Sequence, residues 1–193
     1  MSFFLLLQFW GGSFYLLNKF CLAVAERSGA SLKLWRVRSW IFYLLGLPAW
    51  VVVLVGENNW IAAAVEAGAA PSMLMGLILA RREQVGAPAW LDRVSRLFVL
   101  LGLSFSFYQN GGIHEPTQML EIGVSMGFLL GTYYLAKNRW QGFLWLVVGN
   151  LSCAALMWTQ DYLILASQQL LSLIFVGDAW RSRRLAHCHQ PYS

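Results

Sequence analysis

Charged side chains are scarce in this 193-residue sequence. Asp, Glu, Lys and Arg make up 12% of it, against about 25% in an ordinary soluble domain. That leaves too little polar surface to hold a compact chain in water, so lipid is the expected solvent for most of it. The longest polar stretch, Arg81 to Arg96, reads as a loop, which excludes a separate soluble domain. Cysteine is as sparse: Cys21, Cys153 and Cys188 are odd in number and scattered, which excludes a disulfide framework. Of the three histidines, His187 and His189 flank Cys188. Adjacent residues make a poor tetrahedral site, so a free tail and no metal are expected. Gly-rich phosphate loops, nucleophile elbows and HExxH helices are missing. ATP-driven chemistry thus has no support, and neither a catalytic residue nor a cofactor is expected. A net charge of +5 comes without a basic stripe, which excludes nucleic acid as a partner.

What is present is apolar, at 58% of the residues. No basic region precedes the apolar start and no small-residue cleavage site follows it, so a retained first span is expected rather than a cleaved signal. A hydrocarbon layer needs roughly 20 helical residues to cross it. Seven Leu-rich runs approach that length: 3–25, 39–56, 59–80, 94–110, 116–136, 140–158 and 161–180. Continuous runs of this kind favour helices over the alternating strands of a barrel.

Thirteen of the fourteen basic residues fall in every second connection: Arg27 to Arg38, Arg81 to Arg96, Lys137 with Arg139, and Arg181 to Arg184. The turns around Glu57, Glu115 and Asp161 have none. This is the positive-inside pattern for seven crossings, with the N-terminus outside and the C-terminus cytoplasmic. Trp35, Trp60, Trp140, Trp158, Tyr162 and Trp180 fall near span ends, where amphipathic rings anchor at the interface.

Spans one to three resemble spans five to seven. Tyr15-Leu16-Leu17 and Leu22-Ala23 match Phe128-Leu129-Leu130 and Leu135-Ala136; Trp40 matches Trp145, Glu66 matches Gln168, and Arg81-Arg82 match Arg183-Arg184. The expected fold is therefore an all-α integral membrane protein with seven transmembrane helices arranged 3+1+3. Its divisions are a first repeat over 1–82, a loop and linker helix over 83–115, a second repeat over 116–184 and a cytoplasmic tail over 185–193. An odd linker gives both repeats the same orientation, which is a transporter architecture with a central cavity.

Polar groups at membrane depth are costly unless they face a partner or water, and so are site candidates. They are Gln168, Gln169 and Ser172 in the seventh span, Asn150 with Trp145 in the sixth, Glu121 in the fifth and Glu66 in the third, with Tyr162 at the last turn. Gln8, Asn18 and Lys19 lie in the first. Amides and aromatic rings suit a flat, hydrogen-bonding solute, whereas a phosphorylated one needs several cations and only Lys19 is available. Asn150, Ser152 and Ser172 could equally link helices. Lys19 could snorkel to the cytoplasmic interface, and Glu66 could contact ligand, carry protons or form an ion pair. Pro48 and Pro71 could kink their spans, and Gly123, Gly127 and Gly131 are spaced for close helix packing.

The stretch Arg139-Trp140-Gln141-Gly142 through Trp145 and Asn150, then Tyr162, Gln169, Gly177 and Trp180, resembles the PnuC family of vitamin transporters. The resemblance is clearest over 116–184. It implies a seven-helix, sugar-transporter-like fold in a bacterial inner membrane, carrying an uncharged vitamin or nucleoside-like solute, above all nicotinamide riboside, by facilitated diffusion. It implies a cytoplasmic kinase acting downstream, and Trp145, Asn150 and Gln169 lining the cavity with Tyr162 near its external mouth. In the first half, Leu45 and Ala67 stand where counterparts of Asn150 and Gln169 would fall. A homo-oligomer is compatible with this reading. The alternatives are a structural or assembly subunit of a larger membrane complex and, more remotely, a membrane-embedded enzyme.

Overall fold

Backbone amides in lipid have no water to bond, so a chain this apolar must satisfy them within helices. The computed structural model describes residues 3–27, 31–82, 86–109 and 115–188. In them the chain forms α1 (Phe3–Arg27), α2 (Leu32–Gly56), α3 (Trp60–Arg82), α4 (Ala89–Gln109), α5 (Pro116–Ala136), α6 (Gln141–Thr159) and α7 (Leu163–Cys188). Five of these, α2, α3, α5, α6 and α7, are long and apolar enough to cross a membrane. At 25 and 21 residues α1 and α4 have the length. Their sequences are more often interrupted, by Gln8, Asn18 and Lys19 in α1 and by Asp92, Arg93 and Arg96 in α4.

Several helices outrun their apolar stretches. α2 starts at Leu32 rather than 39, α4 at Ala89 rather than 94, and α7 continues to Cys188 rather than stopping near 180. Of the loop expected over Arg81 to Arg96, Arg81, Arg82 and the stretch from Ala89 onward are helical, and the expected tail begins as helix. Helical hydrogen bonds are internal and survive in lipid or water alike, so composition marks where the apolar layer stops, not where the helix does. The side chains of His187 and Cys188, and His189 itself, lie outside the described residues. Pro48 and Pro71 sit within continuous helices. Tight reversals are made by Asn58, Asn138 and Asp161, each at a φ near +60°, a left-handed conformation that Asn and Asp tolerate better than most side chains.

Six helices form a closed ring in the order α1, α2, α3, α5, α6, α7 and back to α1, while α4 packs outside against α3 and α5. α1 and α7 run in the same direction, since Gln168 reaches Gly12 near one end and Arg183 reaches Glu26 near the other. Neighbours approach on glycine. A Cβ on Gly127 of α5 would lie 2.2 Å from the backbone of Gly149 on α6, and one on Gly46 of α2 would lie 3.2 Å from the Gly11 carbonyl on α1.

Polarity runs from apolar outside to polar inside. Phe9, Leu100, Ile164 and Ile174 are exposed, while Asn18, Lys19, Ser72, Ser125, Thr132 and Asn150 are buried. This gradient fits a bundle whose outer solvent is hydrocarbon.

The ion pairs gather toward the basic end. Glu26, whose side chain is only 6% exposed, accepts from Arg36 at 2.9 Å and lies 3.4 Å from Arg183, joining α1, α2 and α7. Arg183 also donates to the Asn138 side chain at 2.8 Å, and Arg27 pairs with Asp178. Ahead of the apolar stretch of α4, Asp92 accepts from Arg96, from Lys137 at 3.0 Å and from Tyr133 at 2.8 Å. Burial opposes the charge on Asp92. The hydrogen bonds from Arg96, Lys137 and Tyr133 outweigh it and hold the carboxyl down at about 2.

A side chain at Gly127 would force the α5 and α6 backbones apart. Gly127→Ala should cost about 1–3 kcal/mol and lower the apparent Tm in detergent; an unchanged Tm would show that this contact is slack. Because the folded pKa of Asp92 lies below its unfolded value of 3.8, its stabilising contribution is complete above pH 4 and disappears as pH falls toward 2. Asp92→Asn should therefore be less stable than wild type at neutral pH, and the gap should narrow on acidification through that window. The measurement is Tm against pH for both proteins.

Candidate functional site

Side chains three, four and seven positions apart share a helix face, and each ring helix turns such a face inward. α1 presents Gln8, Tyr15 and Lys19; α2 presents Tyr43, Trp50 and Val53; α3 presents Ala62, Val65 and Glu66. α5 contributes Glu121, Ser125 and Phe128, α6 contributes Asn150, Cys153 and Met157, and α7 contributes Leu165, Gln168, Gln169 and Ser172. Together they enclose a cavity of about 210 Å³, to which α4 contributes nothing. It reaches the α2–α3 and α6–α7 turns, where Glu57, Asn59, Gln160 and half-exposed Tyr162 line its mouth.

Part of the wall is already bonded. The Tyr15 hydroxyl donates to Glu66 at 2.6 Å, Gln168 donates to the Gly12 carbonyl at 3.2 Å, and Gln8 donates to Glu57 at 3.2 Å. Lys19 does not snorkel outward: its side chain is buried, with Nζ 4.7 Å from the centre of the Tyr43 ring. Two groups in the wall lack partners. Asn150 spends its amide protons on the Leu146 carbonyl at 2.6 Å, leaving Oδ1 unbonded, and the Trp50 indole N–H has no acceptor. Both atoms are shielded from solvent, and the Trp50 Nε1 edge lies against Gly11 on α1, so each is a polar group left unpaired inside the wall. The lining carboxylates, Glu57, Glu66 and Glu121, outnumber its one ammonium, Lys19.

Seven of the eight residues singled out in the sequence, Glu66, Glu121, Asn150, Tyr162, Gln168, Gln169 and Ser172, line this one cavity. Trp145 does not, and this corrects the expectation. It precedes Asn150 by five positions, which places it about 140° around the helix, away from the face that Asn150, Cys153 and Met157 present. Sequence reasoning passed over Tyr15, Tyr43, Trp50 and Cys153. Their signal was present as spacing, Tyr15 being one turn from Lys19 and Tyr43 two turns from Trp50.

A second cavity, of about 640 Å³, opens at the basic end. Lys33, Arg36, Lys137 and Arg183 line it together with a single carboxylate, Glu26, and its walls include Leu22, Trp40 and Gly76. The molecule thus holds an acidic cavity toward one end and a basic one toward the other.

No family model matches the chain, and no curated protein or solved structure matches it.

Leucine at position 150 would fill a similar volume without an open acceptor, and an unbonded buried polar group costs about 1–3 kcal/mol. Asn150→Leu should therefore leave the ligand-free protein as stable as wild type or more so, read as Tm in detergent. A loss of several degrees would mean that Oδ1 is bonded within the bundle.

Proposed function

We propose that this chain is a membrane carrier that moves a small, flat, hydrogen-bonding solute of vitamin or nucleoside type by facilitated diffusion. The observation that carries this reading is the cavity shared by all six ring helices, lined by amide, hydroxyl and carboxylate side chains among aromatic rings. Tyr15 and Trp50 offer aromatic faces. Asn150, Gln168 and Gln169 offer donors and acceptors along a planar edge. The carboxylate surplus repels phosphorylated solutes and admits neutral or singly positive ones. This widens the expected class beyond uncharged vitamins, and it suits a nicotinamide nucleoside, whose ring nitrogen carries a delocalised positive charge.

In this reading all seven helices span the membrane in a 3+1+3 arrangement with the N-terminus outside, in a bacterial inner membrane. The neighbour relations support it. Exchanging α1, α2 and α3 with α5, α6 and α7 turns the pairs α1·α2, α2·α3 and α3·α5 into α5·α6, α6·α7 and α7·α1, all of them contacts. A downstream cytoplasmic kinase would keep the gradient inward by phosphorylating the solute, which the acidic cavity then refuses.

Purified protein in liposomes should equilibrate radiolabelled nicotinamide riboside without ATP or an ion gradient. Gln169→Ala should slow this about tenfold, the equivalent of one hydrogen bond of roughly 1.4 kcal/mol, while Trp145→Ala should leave the rate nearly unchanged. Flux that requires a proton gradient would replace passive transport with coupled transport through Glu66. Absence of flux for a whole panel of vitamins and nucleosides, with a partner protein co-purifying at fixed stoichiometry, would favour an assembly subunit.

A further inference from the structure

The two cavities come within one turn of each other on α2. Tyr43 lines the acidic cavity, and Trp40, one turn away on α2, lines the basic one. Their rings are stacked, with centroids 6.2 Å apart and planes 22° apart. Both are buried, at 5% and 7% exposure. The Trp40 ring is seated against α3, where a Cβ on Gly76 would lie 2.3 Å from it. The Tyr43 hydroxyl meets the buried Thr132 hydroxyl at 3.1 Å. Thr132 belongs to α5, which is not a neighbour of α2 in the ring, so this bond crosses the interior.

We infer that Trp40 and Tyr43 are the gate between the two cavities, and that the Tyr43–Thr132 hydrogen bond is its latch. The inference deepens the carrier reading by taking the cavities as two ends of one path. A single bond between neutral hydroxyls is weak enough to break during transport. Lys19, over the Tyr43 ring on the acidic side, is the charged group that an arriving solute meets at this point. Glycine at 76 is what gives Trp40 its closed position, since any side chain there would displace the ring.

Cys153, in the wall of the acidic cavity, supplies a native reporter. In a Cys21→Ser/Cys188→Ser background it is labelled with a membrane-impermeant cationic thiol reagent, applied to one face of sealed vesicles at a time. An opposite-facing state populated at a tenth or less makes labelling from the basic side at least about tenfold slower than from the mouth. Trp40→Ala/Tyr43→Ala should bring the two rates toward equality. Tyr43→Phe and Thr132→Val keep the rings and remove only the latch. Each should raise basic-side labelling several-fold, and their combination should do no more than either alone, because they remove the same bond. Equal rates from both faces in the parent, one-sided or absent labelling in the double alanine protein, or additive effects of the two latch variants would each overturn the gate. Labelling needs no transported solute, so a failed flux experiment beside a positive labelling result would sink the carrier reading and leave the gate standing.

Discussion

Gly127 on α5 lies backbone against backbone with Gly149 on α6, and contacts of this kind govern what the rest of the bundle can be. Hydrocarbon gives helices no hydrophobic reason to associate, so they hold together by close van der Waals fit and a few interior hydrogen bonds. Where glycine permits that fit, as at Gly11 with Gly46 and at Gly131 with Leu146, neighbours can follow one another around a circle. Six helices that each touch only two ring partners cannot also fill the centre. The hollow is a geometric result of the packing, and the polar side chains turn to it because the outer faces meet lipid.

That hollow divides the charges. Glu57, Glu66 and Glu121 stand around one cavity with Lys19 at its floor, while four cations surround the other with Glu26 among them. Burying charge is costly unless partners are supplied. The partners here are local: Tyr15 for Glu66, the Tyr43 ring for Lys19, and two arginines for Glu26. The same groups that make the interior tolerable give the path its electrostatic profile, and the aromatic layer at Trp40 and Tyr43 stands where that profile changes sign.

Much of this could be read in the residues. Long apolar runs located the helices to within a few positions at most ends, because α5 and α6 have polar residues immediately beyond the lipid-compatible stretch. The first turns of α2 and α4 were hidden, since Lys33, Arg36 and Asp92 look like loop and are helical. Amides on α6 and α7 stood out because polar groups are rare there. Trp145 misled because its distance along the chain from Asn150 was judged without its angle around the helix. Tyr43 and Trp50 escaped notice because tyrosine and tryptophan in an apolar run resemble interface anchors; only the ring shows that they point inward. The Tyr43–Thr132 bond joins residues 89 positions apart, and no local pattern announces it.

The position of α4 matters beyond its absence from the ring. It leans on both α3 and α5, and Ser106 on it bonds Ser125 on α5 at 2.9 Å. The seam between α3 and α5 is therefore covered from outside. The seam between α1 and α7 has no such cover; its apolar packing, with Leu22 and Ala23 against Val176 and Ala179 and Phe20 against Phe175, is tied by Gln168, Arg183 and the Arg27–Asp178 pair. In a ring of six, the seam that α4 braces lies directly opposite the α1–α7 seam that it leaves bare, so the bundle has one buttressed wall and one whose outer face is lined by α1 and α7 themselves.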